Sequence, residues 1–586
     1  MAPFTEKAGE LTVEYSLQAL DYDKVCDRGT FRGLPGEAIR ELLNTVGRYG
    51  VVDRAIVGSN GWRSGFAVTH EPWIAEIGLA VDDPDYTSNC AAWLDDLARR
   101  GIKPDGRVLS RWHSDAGDAQ PGTFDAASGY YEAQWGLLMD SQPSYVINVA
   151  EQFDQSGDQA WLAQHRETCR AALDYLLRRD RDGDGLVEMD NASTREGKSS
   201  DWIDIVWASH ENALVNAELY EALVLWAPLE ELLGDGAHAA QDRAAAAKLK
   251  AAFNAPVAAG GFWDPERGCY AYWRDEDDSL HGTNLVVPVQ FCAIAYGLCD
   301  DVSRCDALLG RIEALMQKEQ LFHWPLCFFP FEKDEVHLSQ RDFPSYENGD
   351  IFLGWGEVGV RAYAQRQPAI ALGYVRKLLE QYQRDGLSFQ RYLRVSQKGA
   401  GDDILSNNCN AIVGLYRDLF GVQPKHDRLW LEPHLTPELA GTRLHYRLRG
   451  QSLEIELDVD RERVACEGWS LAARGAFGAA LSKDAAEFFP SAQRGPALRI
   501  ERAGSEPVGV TIEGWPADSL QRRAWIEELP DQAGVLRHVV RDLPPGRHVQ
   551  VRVGGQVLAD AVADASGAIE FSSSGSGTRR FELVPQ

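Results

Sequence analysis

Residues 201–212 read Asp201-Trp202-Ile203-Asp204-Ile205-Val206-Trp207-Ala208-Ser209-His210-Glu211-Asn212, and a long helical pattern, 213–233, begins at once behind them. A tryptophan-flanked acidic pair just ahead of a helix places a carboxyl group at a loop rim. Aromatic surroundings desolvate such a group and raise its pKa. A side chain that must deliver a proton near neutral pH needs that property. The same position also suits N-capping, because an Asp near a helix start satisfies free amides. Asp201 fits a cap or a supporting partner. Asp204, close to Trp202, Trp207 and His210, fits the site itself.

Working outward, residues 35–421 read as amphipathic helices separated by Gly-, Pro- and Asp-rich loops. Helices are predicted over 36–49, 89–100, 144–153, 161–178, 213–233, 243–253, 286–299, 305–319, 369–383 and 410–419. Shorter ones over 73–80, 130–138 and 357–365 bring the total to about a dozen. The loops between them carry His, Trp, Asp and Asn, as in a scaffold whose loops build a site at one end. After Gly421 the text alternates with period two, at 428–433, 444–448 and 453–459, then at 508–512, 548–553 and 581–584. A β-sandwich-like domain over 426–586 is expected to follow a helical domain over 1–425, with 572–578 as a loose hairpin tip.

The 586 residues carry 59 basic and 88 acidic side chains, a formal charge of −29. That balance disfavours nucleic acid and anionic membrane surfaces as partners, and leaves a neutral small molecule open. Seventeen tryptophans offer flat faces suited to sugar rings, although any one of them more often fills core. The N-terminus has no apolar run of signal-peptide length and no stretch approaches a membrane span. Ten cysteines run from Cys26 to Cys466 with neither a CxxC pair nor zinc spacing. Reduced thiols in a cytoplasmic protein are expected.

The Asp201–Asp204 element resembles the G-D-W-N-D segment of cellobiose-phosphorylase-like enzymes and the W-M-D-A segment of amylo-α-1,6-glucosidases of the glycogen-debranching type. The helix from Asn216 to Leu223 is similar to one that follows in the debranching group. The loop from Tyr346 to Phe352 resembles their Y-x-N-G-G-x-W/F loop, and residues 427–435 resemble the start of their C-terminal sandwich. The matches fall in the families' order across residues 60–450. The resemblance implies a mainly α chain, an (α/α)6 barrel of the six-hairpin glycosidase kind followed by the sandwich, with Asp204 as general acid.

A hydrolase that inverts the anomeric centre needs a second carboxylate as base, about 6.5–9.5 Å from the acid, so that a water fits between them. Glu357, beside Trp355 in a Gly-rich loop, is favoured. Asp403, with Asp402, follows, and Glu347 with Asp350 is third. Each also suits a helix start. The Glu that trehalase-like and mannosylglycerate-hydrolase-like barrels carry shortly before their last helix is not found here. Trp62 and Arg63 (after Asn60), His70, Trp73, Trp112, His113, Tyr131, Trp202, His210, His281, Trp324, Glu347, Asn348 and Trp355 make up the candidate sugar-binding set. Taken singly, each His or Arg is more often structural.

Asp180, Asp182, Asp184 and Glu188 stand at positions one, three, five and nine of an EF-hand-like loop, with Gly185 at six and Asn191 in place of the Glu at twelve. The same turn recurs in the barrel families as an ordinary loop, so a solvated turn is the preferred reading, a structural calcium the alternative. No cofactor is required. The function expected is an inverting glycoside hydrolase of oligosaccharides or small glycosides, glucose-type. An inverting glycoside phosphorylase is the alternative, and a sugar epimerase or isomerase using His113, His210, His281 or His323 as base is a further one. The oligomeric state is left open.

Overall fold

A computed structural model describes residues 27–48, 66–113, 123–133, 136, 138–337, 343–401, 405–518, 520–530 and 535–586. The described residues form twelve α-helices: α1 (Gly36–Thr45), α2 (Ile74–Val81), α3 (Pro84–Arg100), α4 (Ser141–Ser156), α5 (Gln159–Leu177) and α6 (Ala213–Leu232). They continue as α7 (Gly236–Asn254), α8 (Val287–Ala295), α9 (Val302–Glu319), α10 (Gly356–Ala364), α11 (Pro368–Asp385) and α12 (Asn410–Gly414).

The helices alternate between two kinds. In α4, 15 of 16 residues are buried, so the helix has no solvent face. In α5, 6 of 19 are buried, at Leu162, His165, Cys169, Ala172, Leu173 and Leu176, a single stripe of three-and-four spacing. The even-numbered helices are the enclosed kind. α2 packs on α4, α4 on α6, α6 on α8, α8 on α10, α10 on α12, and α12 returns to α2. The odd-numbered helices lie outside them, each presenting its stripe inward.

Local signals set the helix ends. Asp158 accepts from the N–H groups of Ala160 and Trp161 to start α5, and Gly157, at φ +67°, ends α4 in the left-handed conformation that costs glycine nothing. Asn212 caps α6 by accepting from Leu214 and Val215 N–H.

Behind the helices stand a seven-stranded and a ten-stranded sheet, antiparallel except where Trp469–Ala473 runs parallel to Val508–Gly514. Strand Val422–Lys425 opens the smaller sheet, and Gly29–Thr30 forms one edge of the larger. The sandwich grips the C-terminal ends of α2 and α4 among the enclosed helices. Arg28 donates to the carbonyls of Ala80 and Val81, the Tyr446 hydroxyl to that of Leu79, and Lys425 pairs with Asp154 at 2.8 Å. The loops that precede the enclosed helices therefore lie at the opposite end.

Two expectations are corrected. Residues 130–138 do not start a helix: Tyr130–Tyr131 is a strand between Arg111–His113 and Phe124–Asp125, in keeping with the preference of aromatics for pleated surfaces. Residues 572–578 are not a hairpin tip. Ile569–Ser573 belongs to the smaller sheet and Gly577–Pro585 to the larger, so the Ser/Gly segment crosses between them. No helix among the described residues is long and apolar enough to cross a membrane. The nine described cysteines are free and buried, and Cys26 lies outside the described residues.

Candidate active site

The loop ahead of α6 is pinned at many points. Ser199 Oγ donates to the Ile203 carbonyl at 3.2 Å, and Ser200 Oγ and Asn191 Nδ2 both donate to that of Ala208 at 2.9 Å. Asp201 is wholly enclosed. It accepts from the Tyr272 hydroxyl at 2.7 and 2.8 Å, from Asn212 Nδ2 at 2.7 Å and from Ile203 N–H at 2.9 Å. Burial pushes its pKa up to about 6 against the pull of those donors. Asp201 thus spends its lone pairs shaping the loop. Behind it, Asp140 and Glu218 are held well above the usual carboxyl range by burial first and by neighbouring carboxylates next.

Asp204 sits half-buried on the following turn, and its carboxyl group is hydrogen-bonded to that of Glu347. Ile205 N–H donates to Glu347 Oε2 at 3.0 Å. Burial, then the adjacent Asp204 charge, hold Glu347 well above its ordinary value, with the Ile205 bond opposing. Two carboxyls this close share a proton, because like charges in a low-dielectric pocket resist ionising together.

Trp202 forms the wall beside them. Its ring meets Trp73 edge-on at 6.1 Å, Trp355 at 5.6 Å and Phe352 at 5.4 Å, and Trp73 meets Trp355 at 4.9 Å. Trp202 Nε1 donates to Glu71 Oε1 at 3.3 Å, and Asn407 Nδ2 reaches the same oxygen at 3.5 Å. The loops ahead of α2, α6, α10 and α12 thus meet at one tryptophan. The loop ahead of α8 joins through Tyr272, and that ahead of α4 through Met139 N–H, which donates to the Ser200 carbonyl at 2.7 Å.

Of the residues singled out in the sequence, Asp204, Trp73, Trp202, Glu347 and Trp355 are brought together here. Glu71 and Asn407 were not among them. Glu71 stood between two named residues, His70 and Trp73, which was its one available signal. Asn348 shapes the Glu347 turn by accepting from Phe331 N–H at 2.7 Å. His70 is buried, and burial takes its pKa down to about 3, so its ring is neutral. His210 has φ +31° and its backbone bonds Asn191 and Met189.

Among the other candidates, Glu357 shares a cavity with Trp73 of this wall. Glu357, in the first turn of α10, faces a small cavity with Glu76, Glu221, Tyr296 and Arg361, and stands 4.0 Å from Arg417 Nε. Burial and Asp418 push it to about 8 despite the two arginines. Trp324 packs between Phe291, Tyr363 and Tyr374. His281 stacks on Trp273 at 4.8 Å and pairs with Glu335 at 2.8 Å; burial lowers its pKa, but Glu335 and Asp275 raise it more. Tyr131 is buried under the Arg111 guanidinium, 4.8 Å from its ring, and Trp112 is half-buried on the adjoining strand. Trp62, Arg63, Asp402 and Asp403 lie outside the described residues, as does the side chain of His113.

Residues 106–305 match the model of the bacterial α-L-rhamnosidase six-hairpin glycosidase domain. The GH78 family rhamnosidase of Bacillus sp. GL1 has a similar fold, with a TM-score of 0.50 and 13% identity, over 76% of this chain and 41% of that one. The chain thus spans about two-fifths of that relative's length. The GH63 mannosylglycerate hydrolase of Thermus thermophilus aligns at 15% identity with a TM-score of 0.48, over 64% of this chain and 99% of that one. The rhamnosidase of Klebsiella oxytoca aligns at 14% identity with a TM-score of 0.44, over 67% of this chain and 66% of that one. No protein of curated function matches the sequence.

Proposed function

We propose, from the premise that this chain is a six-hairpin glycosidase, that it hydrolyses small glycosides with inversion and that Asp204 is its general acid. The observation that carries the reading is the Asp204–Glu347 pair, held against a wall of Trp202, Trp73 and Trp355 where the loops ahead of the enclosed helices meet. The cyclic packing of six enclosed helices, each backed by an outer one, supports an (α/α)6 barrel as the frame.

The chemistry follows from the proton count. One proton shared by two buried carboxyls stays bound near neutral pH, where a solvated carboxyl would have lost it. Asp204, the more exposed partner, passes that proton to the glycosidic oxygen as the bond to the anomeric carbon breaks. Both carboxyls are then ionised, with Ile205 N–H still donating to Glu347, and the pair regains its proton from water before the next turnover. The pair cannot supply the base as well. Two carboxyls in hydrogen-bond contact lie far closer than the roughly 6.5–9.5 Å that leaves room for a water across a sugar. Glu71 is the better choice for that base. Its carboxylate is oriented by two donors, Trp202 and Asn407, and is joined to the acid through Trp202 and the two peptide units beyond it. Glu357 answers instead to Arg361 and Arg417, which fits a structural role.

The rhamnosidase-domain match favours α-L-rhamnosides as substrates, with glucosides as the second class. Nitrophenyl glycosides and natural disaccharides of both classes, followed by NMR of the first-formed anomer, test the proposal. The expected product has the anomeric configuration opposite to the substrate's, at a rate independent of phosphate. A retained configuration contradicts the inverting mechanism, and phosphate dependence contradicts hydrolysis.

A further inference from the structure

The acidic turn between α5 and α6 holds more carboxylate than a turn needs. Asp180, Asp182 and Asp184 each bring an oxygen to within 4.8 Å of the others. Gly185 N–H donates to Asp180 Oδ1 and Asp184 N–H to Asp182 Oδ1, both at 3.1 Å. Those bonds would shape a solvated turn equally well.

The side chains behind the turn are not explained that way. Glu188 and Glu211 are 3% and 5% exposed and are linked by a backbone β-bridge. Oε2 of each is buried without a hydrogen bond among the described residues. The nearest cations are offset: Arg181 Nε and Arg274 Nε stand 3.5 Å from these oxygens. Beyond burial, the largest electrostatic influence on Glu211 is the like charge of Asp184, ahead of Arg274, so Glu211 faces the acidic turn. Lys248, half-exposed, reaches in from the rim to Asp180 Oδ2.

We infer that Asp180, Asp182, Asp184, Glu188 and Glu211 bind one calcium ion, with the Leu186 carbonyl at the seventh loop position. Hard oxygen donors, several of them carboxylates, are what Ca²⁺ takes, and the loop has the EF-hand order up to position nine. At position twelve stands Asn191, not Glu, and its Nδ2 donates to the Lys198 and Ala208 carbonyls. Glu211, delivered by the bridge to Glu188, supplies the missing carboxylate. Lys248 has a flexible stem and moves aside.

The position gives the ion a task. Glu211 adjoins Asn212, which caps α6 and donates to Asp201 at the base of the acid loop. An ion on Glu211 therefore steadies the strand that leaves that loop. This link to catalysis rests on the reading of Asp204 as the acid; the binding itself does not.

The test is calcium titration of the full chain after treatment with a chelator, by calorimetry and thermal melting, beside Glu211→Gln and Asp182→Asn. One Ca²⁺ per chain is expected, with Tm rising by at least about 2 °C at saturation. Each variant should keep the circular dichroism of the parent and lose about tenfold or more in calcium affinity. No binding up to about 1 mM calcium overturns the assignment. Equal affinity in parent and both variants also overturns it, whatever the outcome for activity.

Discussion

At the scale of single residues, the account turns on where protons rest. Asp204 and Glu347 hold one between them because both cannot ionise cheaply in the same enclosure. An acid must be protonated to act, so activity falls as pH rises through the pair's upper pKa. Glu347→Gln removes the like charge and lets Asp204 ionise earlier. The alkaline limb of kcat/KM should then move to lower pH; an unmoved limb would show that the pair is not the donor. Glu71→Gln should cost about 10²–10⁴ in kcat, the usual worth of a positioned base, while the melting temperature stays close to that of the parent. Asp204 could be singled out as a candidate in the sequence because its tryptophan neighbours are adjacent in the chain. Glu71 was not, because its partners Trp202 and Asn407 stand 131 and 336 residues away.

At the scale of elements, the helices were legible from periodicity, clearest in the outer ones with their three-and-four spacing, whereas enclosed α4 buries Ser, Asn, Gln and Glu side chains along with its apolar ones. The helix start at Glu357 was legible, but its charged surroundings were not: Arg361 stands one turn on in α10 and Arg417 beyond α12. Arg417 also binds Glu76 and Glu151, the latter at 3.0 Å. Arg417→Met should therefore destabilise the protein by about 3–5 kcal/mol, because it leaves several buried carboxylates uncompensated. Glu357→Gln should be mild, keeping kcat within about tenfold of the parent, less than a lost base would cost. Thermal melting checks the first expectation and steady-state kinetics the second.

At the scale of the whole molecule, the sandwich holds one end of the helical ring and leaves the other end to the loops. The switch to period-two text after Gly421 showed that a β-region follows. It could not show which strands share a sheet, so the crossover at 572–578 was missed. Buried carboxyls also set how stability depends on pH. Asp82 and Asp418 are pushed to about 7 and Asp201 to about 6, each chiefly by burial. Their unfolded values lie near 3.9, so the folded state binds more protons between about pH 4 and 7, and stability falls as pH rises through that window. His70 and His323, held neutral by burial at about 3, work the other way, costing stability as pH drops below about 6.5. With the net charge of −29 also adding repulsion as pH rises, Tm should peak on the acid side of neutrality and decline toward pH 8. A peak above pH 8 would contradict this balance.

The most direct test of the central claim compares Asp204→Asn with the parent on two substrates that share a glycone, one with a poor leaving group and one with a good one. A missing general acid matters only where the departing oxygen needs a proton. The account predicts a loss of about 10²–10⁴ in kcat/KM on the poor leaving group and near-parental turnover on the good one. An equal loss on both, or none on either, would contradict the assignment of Asp204.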